Sequence, residues 1–276
     1  MSHAFHFGSD PSSLTDCSGS TYGLNVLDWD VAVMPAARVR SATAGHLSGA
    51  WPQCGQMEPH ELNVTVQITG DDSDDLRDKL DALKFLLDPR NGEQCIKLDA
   101  MNDRFWYVMP VKPALGNVRG ARSIKTTLVF NAFDPFAYST TETNQNGALS
   151  GSTNITVPAA GTVAGTEYAL PTIECQNTGS TASIFTVENT TTGDKSSADV
   201  PTPNNGEVRV RWAQRRQPWM EGQITAFGIT WSSSNAYLNS DTNNGIRLQP
   251  GVANSLTISG FTTGTYDITY RARYIP

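Results

Sequence analysis

No run of apolar residues in this chain approaches the ~18 that carry a helix across a bilayer. Nor does its start, Met1-Ser2-His3-Ala4-Phe5-His6-Phe7-Gly8, form the apolar core of a secretory leader, because it turns polar at once. Both absences predict a soluble protein made in the cytosol, so the Asn-x-Thr triplets at Asn63, Asn154 and Asn189 read as chance matches in a Thr-rich chain. There is no C-x-x-C pair. Cys17, Cys54, Cys95 and Cys175 stand apart, without the spacing of a zinc site, and read as reduced thiols. Histidine is scarce: His3, His6, His46 and His60 are all there is, none in the H-E-x-x-H frame of a helical metal site. A G-x-S-x-G frame, which would announce an activated serine, is missing too. Positive charge is also short. With 20 Lys and Arg against 27 Asp and Glu the net charge is −7, which argues against a protein that grips a phosphate backbone and suits a surface that nucleic acid slides past.

What the chain does have is turn-formers: 23 Gly and 15 Pro against only 17% charged residues, a balance of turn-rich β proteins. Its 276 residues suit one or two domains of ~100–200 residues each. Phe5-His6-Phe7-Gly8 reads as an N-terminal strand, with weaker strands at Tyr22 to Leu27 and Val31 to Met34. Arg38 to Gln56, rich in small residues, reads as a long loop or irregular hairpin anchored by Trp51. The clearest strand runs from Glu61 to Thr69, with Leu62, Val64, Val66 and Ile68 on one face and Glu61, Asn63, Thr65 and Gln67 on the other. The second face meets water or another subunit, which makes those four residues a candidate subunit interface. A helix follows over 73–87, capped by Asp72 or Ser73, with Asp74 and Asp75 in its first turn and Leu76, Leu80, Leu83 and Leu87 on one stripe. Cys95 to Leu98 and Arg104 to Val108 form a hairpin, and Ser123 to Phe133 a long closing strand.

Phe130-Asn131-Ala132-Phe133-Asp134-Pro135-Phe136-Ala137-Tyr138 divides the chain. Proline fixes its own φ, lacks an N–H and pushes the preceding residue out of the helical region, so the strand stops or leaves its sheet at Asp134-Pro135. Residues 1–138 are expected to form an N-terminal β-sandwich or split barrel with one α-helix. Residues 139–153, mostly Thr, Ser, Asn and Gly with little apolar content, read as a linker. Residues 154–276 carry short strands between turns and read as a β-sandwich, for a mainly β fold overall. Asp71 to Asp75 and Asp241 to Gly245 lack the terminal carboxylate of a calcium loop and read as a helix cap and a turn. Val208-Arg209-Val210-Arg211-Trp212, with Arg215, Arg216 and Trp219, is the one basic and aromatic cluster; it reads as a strand with cationic outer residues or a protein contact.

Taken in order, four of these segments resemble the distal tail (Dit) proteins of long, non-contractile-tailed bacteriophages. They are Phe5-His6-Phe7-Gly8; the strand Leu62 to Ile68 with the helix after it; the Phe130 to Tyr138 stretch, similar to an F-x-x-x-DP-(Y/F)-x-Y pattern; and Leu248-Gln249-Pro250-Gly251 with Asn254-Ser255-Leu256-Thr257-Ile258-Ser259-Gly260, followed by Tyr270 to Tyr274. The resemblance implies a structural virion protein at the tail tip, assembled in the host cytoplasm. Six copies would form a ring through their N-terminal domains, joining the tail tube to the tip and leaving a lumen for DNA. Galectin-like or carbohydrate-module-like C-terminal sandwiches would project outward. The implied partners are the tail tube protein, the tape-measure protein, the tail-tip hub and receptor-binding proteins, with no cofactor, no catalytic residues and no membrane insertion. Phe130, Phe133, Asp134, Pro135, Phe136 and Tyr138 would form the domain junction. The alternative is a glycan-binding adsorption module, contacting sugar or protein through Arg215, Arg216, Trp219, Trp231 and Tyr237. A glycan hydrolase is a weaker third reading.

Overall fold

The computed structural model describes residues 4–30, 36–42, 51–113, 122–177, 184–199, 208–215, 219–226, 229–232, 238–239 and 245–275, with backbone alone for 39–42, 51–56, 112–113, 177, 184, 198–199, 208–215, 219–226, 229–232 and 238–239. The fold is mainly antiparallel β with one α-helix. The chain forms two compact units, Met1–Thr140 with Ile275–Pro276, and Thr141–Tyr274.

The first unit contains β1 (Phe5–Gly8), β2 (Thr15–Asp16), β3 (Leu24–Asp30), β4 (Ala37–Ala42), β5 (Trp51–Met57), β6 (His60–Thr69), α1 (Ser73–Leu86), β7 (Gln94–Leu98), β8 (Arg104–Pro113), β9 (Ser123–Ala132) and the start of β10 (Ala137–Val157). β3, β6, β9 and β8 are neighbours in that order, and β8, β7, β1 and β2 in another. One strand serves both: β8 pairs with β7 up to Val108 and with β9 from Met109. The alternation read in β6 holds, since Leu62, Val64, Val66 and Ile68 are fully buried. Phe130 on β9 packs between Phe5 and Phe7, at 6.2 and 5.7 Å between ring centroids. The first contact is edge-on and the second tilted, and aromatic pairs of this kind add roughly 0.5–1.5 kcal/mol each beyond their buried area.

α1 forms where its sequence says it should. The Asp72 carboxylate accepts the backbone N–H groups of Asp74 and Asp75 at 2.9 and 2.8 Å, satisfying donors that a helix start leaves open. Leu76, Leu80 and Leu83 are buried, on a helix that lies against β6, each burial contributing roughly 1.5–3 kcal/mol. Leu87 stands at the C-cap, one residue beyond the helix. Arg38 to Gln56 contains the β4–β5 pair, a separate two-stranded sheet with a register shift at Arg40/Ser41; residues 43–50, and the Val31 to Met34 strand, lie outside the described residues.

The second unit holds the rest of β10, then β11 (Thr172–Asn177), β12 (Ile184–Asn189), β13 (Asp194–Asp199), β14 (Val208–Arg215), β15 (Trp219–Ala226), β16 (Ile229–Ser232), β17 (Leu238–Asn239) and β18 (Asn254–Tyr274). β18 joins what the sequence shows as two strands. Its first part pairs with β12, which leads to β13 and β17, and its second part with β11, which leads to β14, β15 and β16. Ile173, Cys175 and Ile268 from one set, and Phe185, Val187 and Ile258 from the other, bury a common core, as two layers do.

Residues 139–153 are strand, not the loop that their composition suggests. β10 neighbours β18, and Gln145 Nε2 donates to the Thr156 carbonyl at 2.9 Å. An extended strand would separate those residues by about 36 Å. The chain therefore folds back between them, at Ser150-Gly151, where Gly151 has φ +62° and the Ser150 N–H donates to Thr153 Oγ1. Within β10 after Tyr138, only Leu149, Ile155 and Val157 are buried. Its partner strand decides the conformation, and an alternation of apolar residues is not there to be read.

Candidate assembly surface and junction

Between β9 and β10, the structure gives the Asp134-Pro135 break a definite form. Asp134 is 8% exposed. Its carboxylate accepts the Phe136 N–H at 3.3 Å, an Asx-type turn, while the Tyr138 hydroxyl donates to its other oxygen. The Tyr138 ring stacks on Phe105 at 5.9 Å and meets Tyr107 edge-on at 5.1 Å, opposite Phe105 in the β8–β10 register. Pro135 is buried, Phe136 half-buried and Phe130 in the core, whereas Phe133, one residue before the break, is 52% exposed. Thus Asp134 fastens the departing chain to the residue that re-enters the sheet.

The candidate face of β6 is polar and partly engaged within its own sheet. Glu61 is exposed; Asn63, Thr65 and Gln67 are half-buried. Thr65 Oγ1 lies 3.1 Å from Thr127 Oγ1, and Gln67 Nε2 donates to Ser123 Oγ at 2.8 Å. The edges of this sheet differ from its face. On β3, Val26 pairs with Val66 and Asp28 with Thr65, so Leu27 is an extra, bulged residue. On β8, Pro110 pairs with Phe130 and Lys112 with Val129, so Val111 is another. Leu27 is 43% and Val111 55% exposed. Among the described residues the four exposed large hydrophobics are these two with Phe85, on α1, and Phe133, all in the first unit. Sequence reading passed over Leu27 and Val111, yet Val26-Leu27 leaves a trace: two apolar residues stand together where alternation calls for one.

His60, at the start of β6, is buried with neither ring nitrogen hydrogen-bonded. Burial holds its pKa below the ordinary histidine value. The unfolded chain then takes up a proton near pH 6.5 that the folded chain resists, so stability is full above that pH and falls as pH drops below it. Replacing His60 with leucine is expected to flatten this limb between about pH 7 and 5 in denaturant titrations; an unchanged slope would remove His60 as its source.

Buried polar groups in the second unit explain the Leu248 to Gly260 motif. Asn254 and Asn189 are both fully buried. Asn254 accepts from the Gln249 N–H and donates to the Gln249 carbonyl, closing the Gln249-Pro250-Gly251 turn, and also accepts from Asn189 Nδ2. Asn189 therefore works inside the fold. Beside it, Asp194 receives Arg247 at 2.8 Å, and the Arg247 guanidinium lies 5.0 Å from the Tyr168 ring centroid.

The cluster expected to contact sugar or protein is only partly described. Arg215 pairs with Trp219 across the β14–β15 hairpin, and Trp231 lies opposite Ile224 on β16. Arg216 and Tyr237 lie outside the described residues. Cys17, Cys95 and Cys175 are buried and form no disulfide; burial, with Asp16 alongside, pushes the Cys17 thiol up to about 12. His6 bonds Asp99 at 2.9 Å. Among the described residues no three His, Cys, Asp or Glu side chains come together as a metal site, and no helix is long and apolar enough to cross a membrane.

No protein-family model matches the sequence, and no curated protein matches it. Solved structures do. The chain is similar to the Dit protein (gp 19.1) of phage SPP1, described as a paradigm of the hub adsorption apparatus in phages that infect Gram-positive bacteria. TM-score is 0.65 and identity 18%, over 98% of each chain. It is also similar to chains of the phage P2 baseplate in its activated conformation, with Ca (TM-score 0.53, 6% identity, 98% of each chain) and with Sr (0.54, 5%, 97%). The chain thus has the fold of these proteins along nearly its whole length, and the resemblance drawn from its motifs holds at the level of fold.

Proposed function

We propose that this protein is a structural, non-enzymatic component of a phage tail or baseplate, in which identical copies close into a ring around a channel for DNA. The observation that carries the reading is the placement of exposed apolar side chains. Leu27 and Val111 sit on β3 and β8, the two outer strands of one four-stranded sheet, each lifted out by a bulge. Exposed sheet edges are usually blunted by charge. An apolar residue on each of two different edges instead suits a head-to-tail contact that repeats from copy to copy and closes by rotation. The charges agree: Asp28 and Asp30 follow Leu27, and Lys112 follows Val111. The hydroxyl and amide face of Asn63, Thr65 and Gln67, with Glu61 beside it, presents little to hold DNA, as a channel wall requires.

In this reading six copies form the ring, as the Dit resemblance implies. The tail tube protein, the tape-measure protein and the tail-tip hub are its neighbours, with receptor-binding proteins as further partners. The Asp134–Tyr138 clasp serves as the joint between ring and outer unit. Light scattering and negative-stain imaging of the purified chain, with and without the tail tube protein, test this. Closed rings of uniform subunit number are expected; monomers at every concentration, with the tube protein present, would overturn the reading.

A further inference from the structure

Among the described residues, His60 is a titratable group only 6% exposed with no hydrogen-bond partner at either ring nitrogen. A neutral imidazole carries one donor and one acceptor, and leaving both unmet in a core has a cost that an apolar residue would not meet. Such a group calls for an explanation, and its place in the sheet supplies one. His60 pairs with Ala132, at one end of a β6–β9 ladder whose other end is Thr69 with Ser123. The ladder stops there on both strands. Pro59, exposed and without an N–H, precedes His60, and the chain leaves β9 at exposed Phe133 and the Asp134-Pro135 break. One residue before Pro59, the Glu58 N–H donates to the Ala36 carbonyl at 2.8 Å and closes the base of the β4–β5 hairpin.

We propose that His60 is a proton-operated latch: in acid the start of β6 parts from the end of β9 and frees the base of the β4–β5 hairpin, while the rest of the first unit stays folded. A charged imidazole finds no countercharge in the closed position. Glu58 and Glu61, its charged neighbours along the chain, are exposed, and Glu61 lies on the other face of β6. On β9 the residue opposite is Ala132, and Asp134 beyond it is engaged by the Phe136 N–H and the Tyr138 hydroxyl. β8 brings uncharged Met109 opposite Asn131, Asp30 on β3 stands opposite Asn63, and α1 buries Leu76, Leu80 and Leu83. Burial alone accounts for the low pKa of the ring. Parting the last pairs of the ladder gives the charge water at far less cost than separating the whole of it, because strand ends open more readily than strand middles. The latch lies within the first unit of a single protomer, so it holds or fails independently of ring formation.

Amide hydrogen exchange of the full chain at pH 7.5 and pH 5.5, expressed as protection relative to the free-peptide rate at each pH, reads the latch. Protection at residues 60–62 and 130–132 is expected to fall about tenfold, the effect of one proton that the open end binds near pH 6.5 and the closed end refuses. Low urea should leave that exchange unchanged, because a local opening exposes little surface, and should speed exchange at residues 64–68 in the middle of β6. His60→Leu is expected to keep the same protection at both pH values. His60→Gln, which takes up no proton, should lower protection equally at both. No fall in acid, a fall that persists in either variant, or a fall that grows with urea as in the middle of the strand would overturn the proposal.

Discussion

Leu27→Asp and Val111→Asp are each expected to abolish ring formation while leaving the protomer folded. Leu27 is 43% and Val111 55% exposed, so aspartate costs the isolated chain little. In a closed contact each apolar side chain would bury, contributing roughly 1.5–3 kcal/mol, and an aspartate there would lose its water without a partner. The effect is large because every interface of the ring repeats the same contact. Mixing the two variants separates the geometries. In a head-to-tail ring, every interface takes the β3 edge of one copy and the β8 edge of the next. Leu27→Asp keeps a good β8 edge and Val111→Asp a good β3 edge, so the mixture makes one good interface and stops at a one-to-one dimer. In a two-fold contact between β3 edges, Val111→Asp would associate by itself. Sedimentation velocity distinguishes the outcomes, and wild-type assembly by both single variants would show that these edges do not meet a neighbour.

The features legible in the sequence are those whose cause lies within a few residues. The β6 alternation, the Asp72 cap and the leucine stripe of α1 each follow from spacing along one element, and each was read with its side chains on the correct face. The Asp134-Pro135 break was legible for the same reason, because Asp134 acts on Phe136 and Tyr138. β10 was not, since its strand character comes from β18, more than a hundred residues later. The bulges at Leu27 and Val111 depend on register against β6 and β9, which one strand cannot show. In the Leu248 to Gly260 motif the residues were legible but not their work, since Asn254 acts on Asn189, and Arg247, which stands just before the motif and was not singled out, acts on Asp194, each more than fifty positions earlier.

That last pair gives the largest expected effect on stability. The Asp194 side chain is 4% exposed and that of Arg247 31%. Arg247 donates to Asp194 from Nε and NH2, and its backbone N–H adds a third bond; Thr192 Oγ1 adds a fourth. Although desolvation by burial works to raise the Asp194 pKa, these donors outweigh it and hold it below the usual carboxylate value. Arg247→Met keeps the backbone and Thr192 bonds but leaves the buried carboxylate without its countercharge. The cost is expected near 3 kcal/mol, the lower end of the ~3–5 kcal/mol for breaking a buried pair. Asp194→Asn should cost less, because Arg247 is exposed enough to hydrate. Joint substitution should cost less than the sum of the two, since the charge that each single change strands is then absent. The pH dependence carries the same signature. With its folded pKa depressed, Asp194 contributes stability above about pH 3.9, its unfolded value, and loses it as pH falls through the folded pKa. Arg247→Met therefore brings the folded pKa back toward the unfolded one, and its deficit against wild type should shrink in acid. Denaturant titrations at pH 7 and pH 3 measure this, and a deficit that stays constant between them would show that packing around Arg247, rather than its charge, supports the loop.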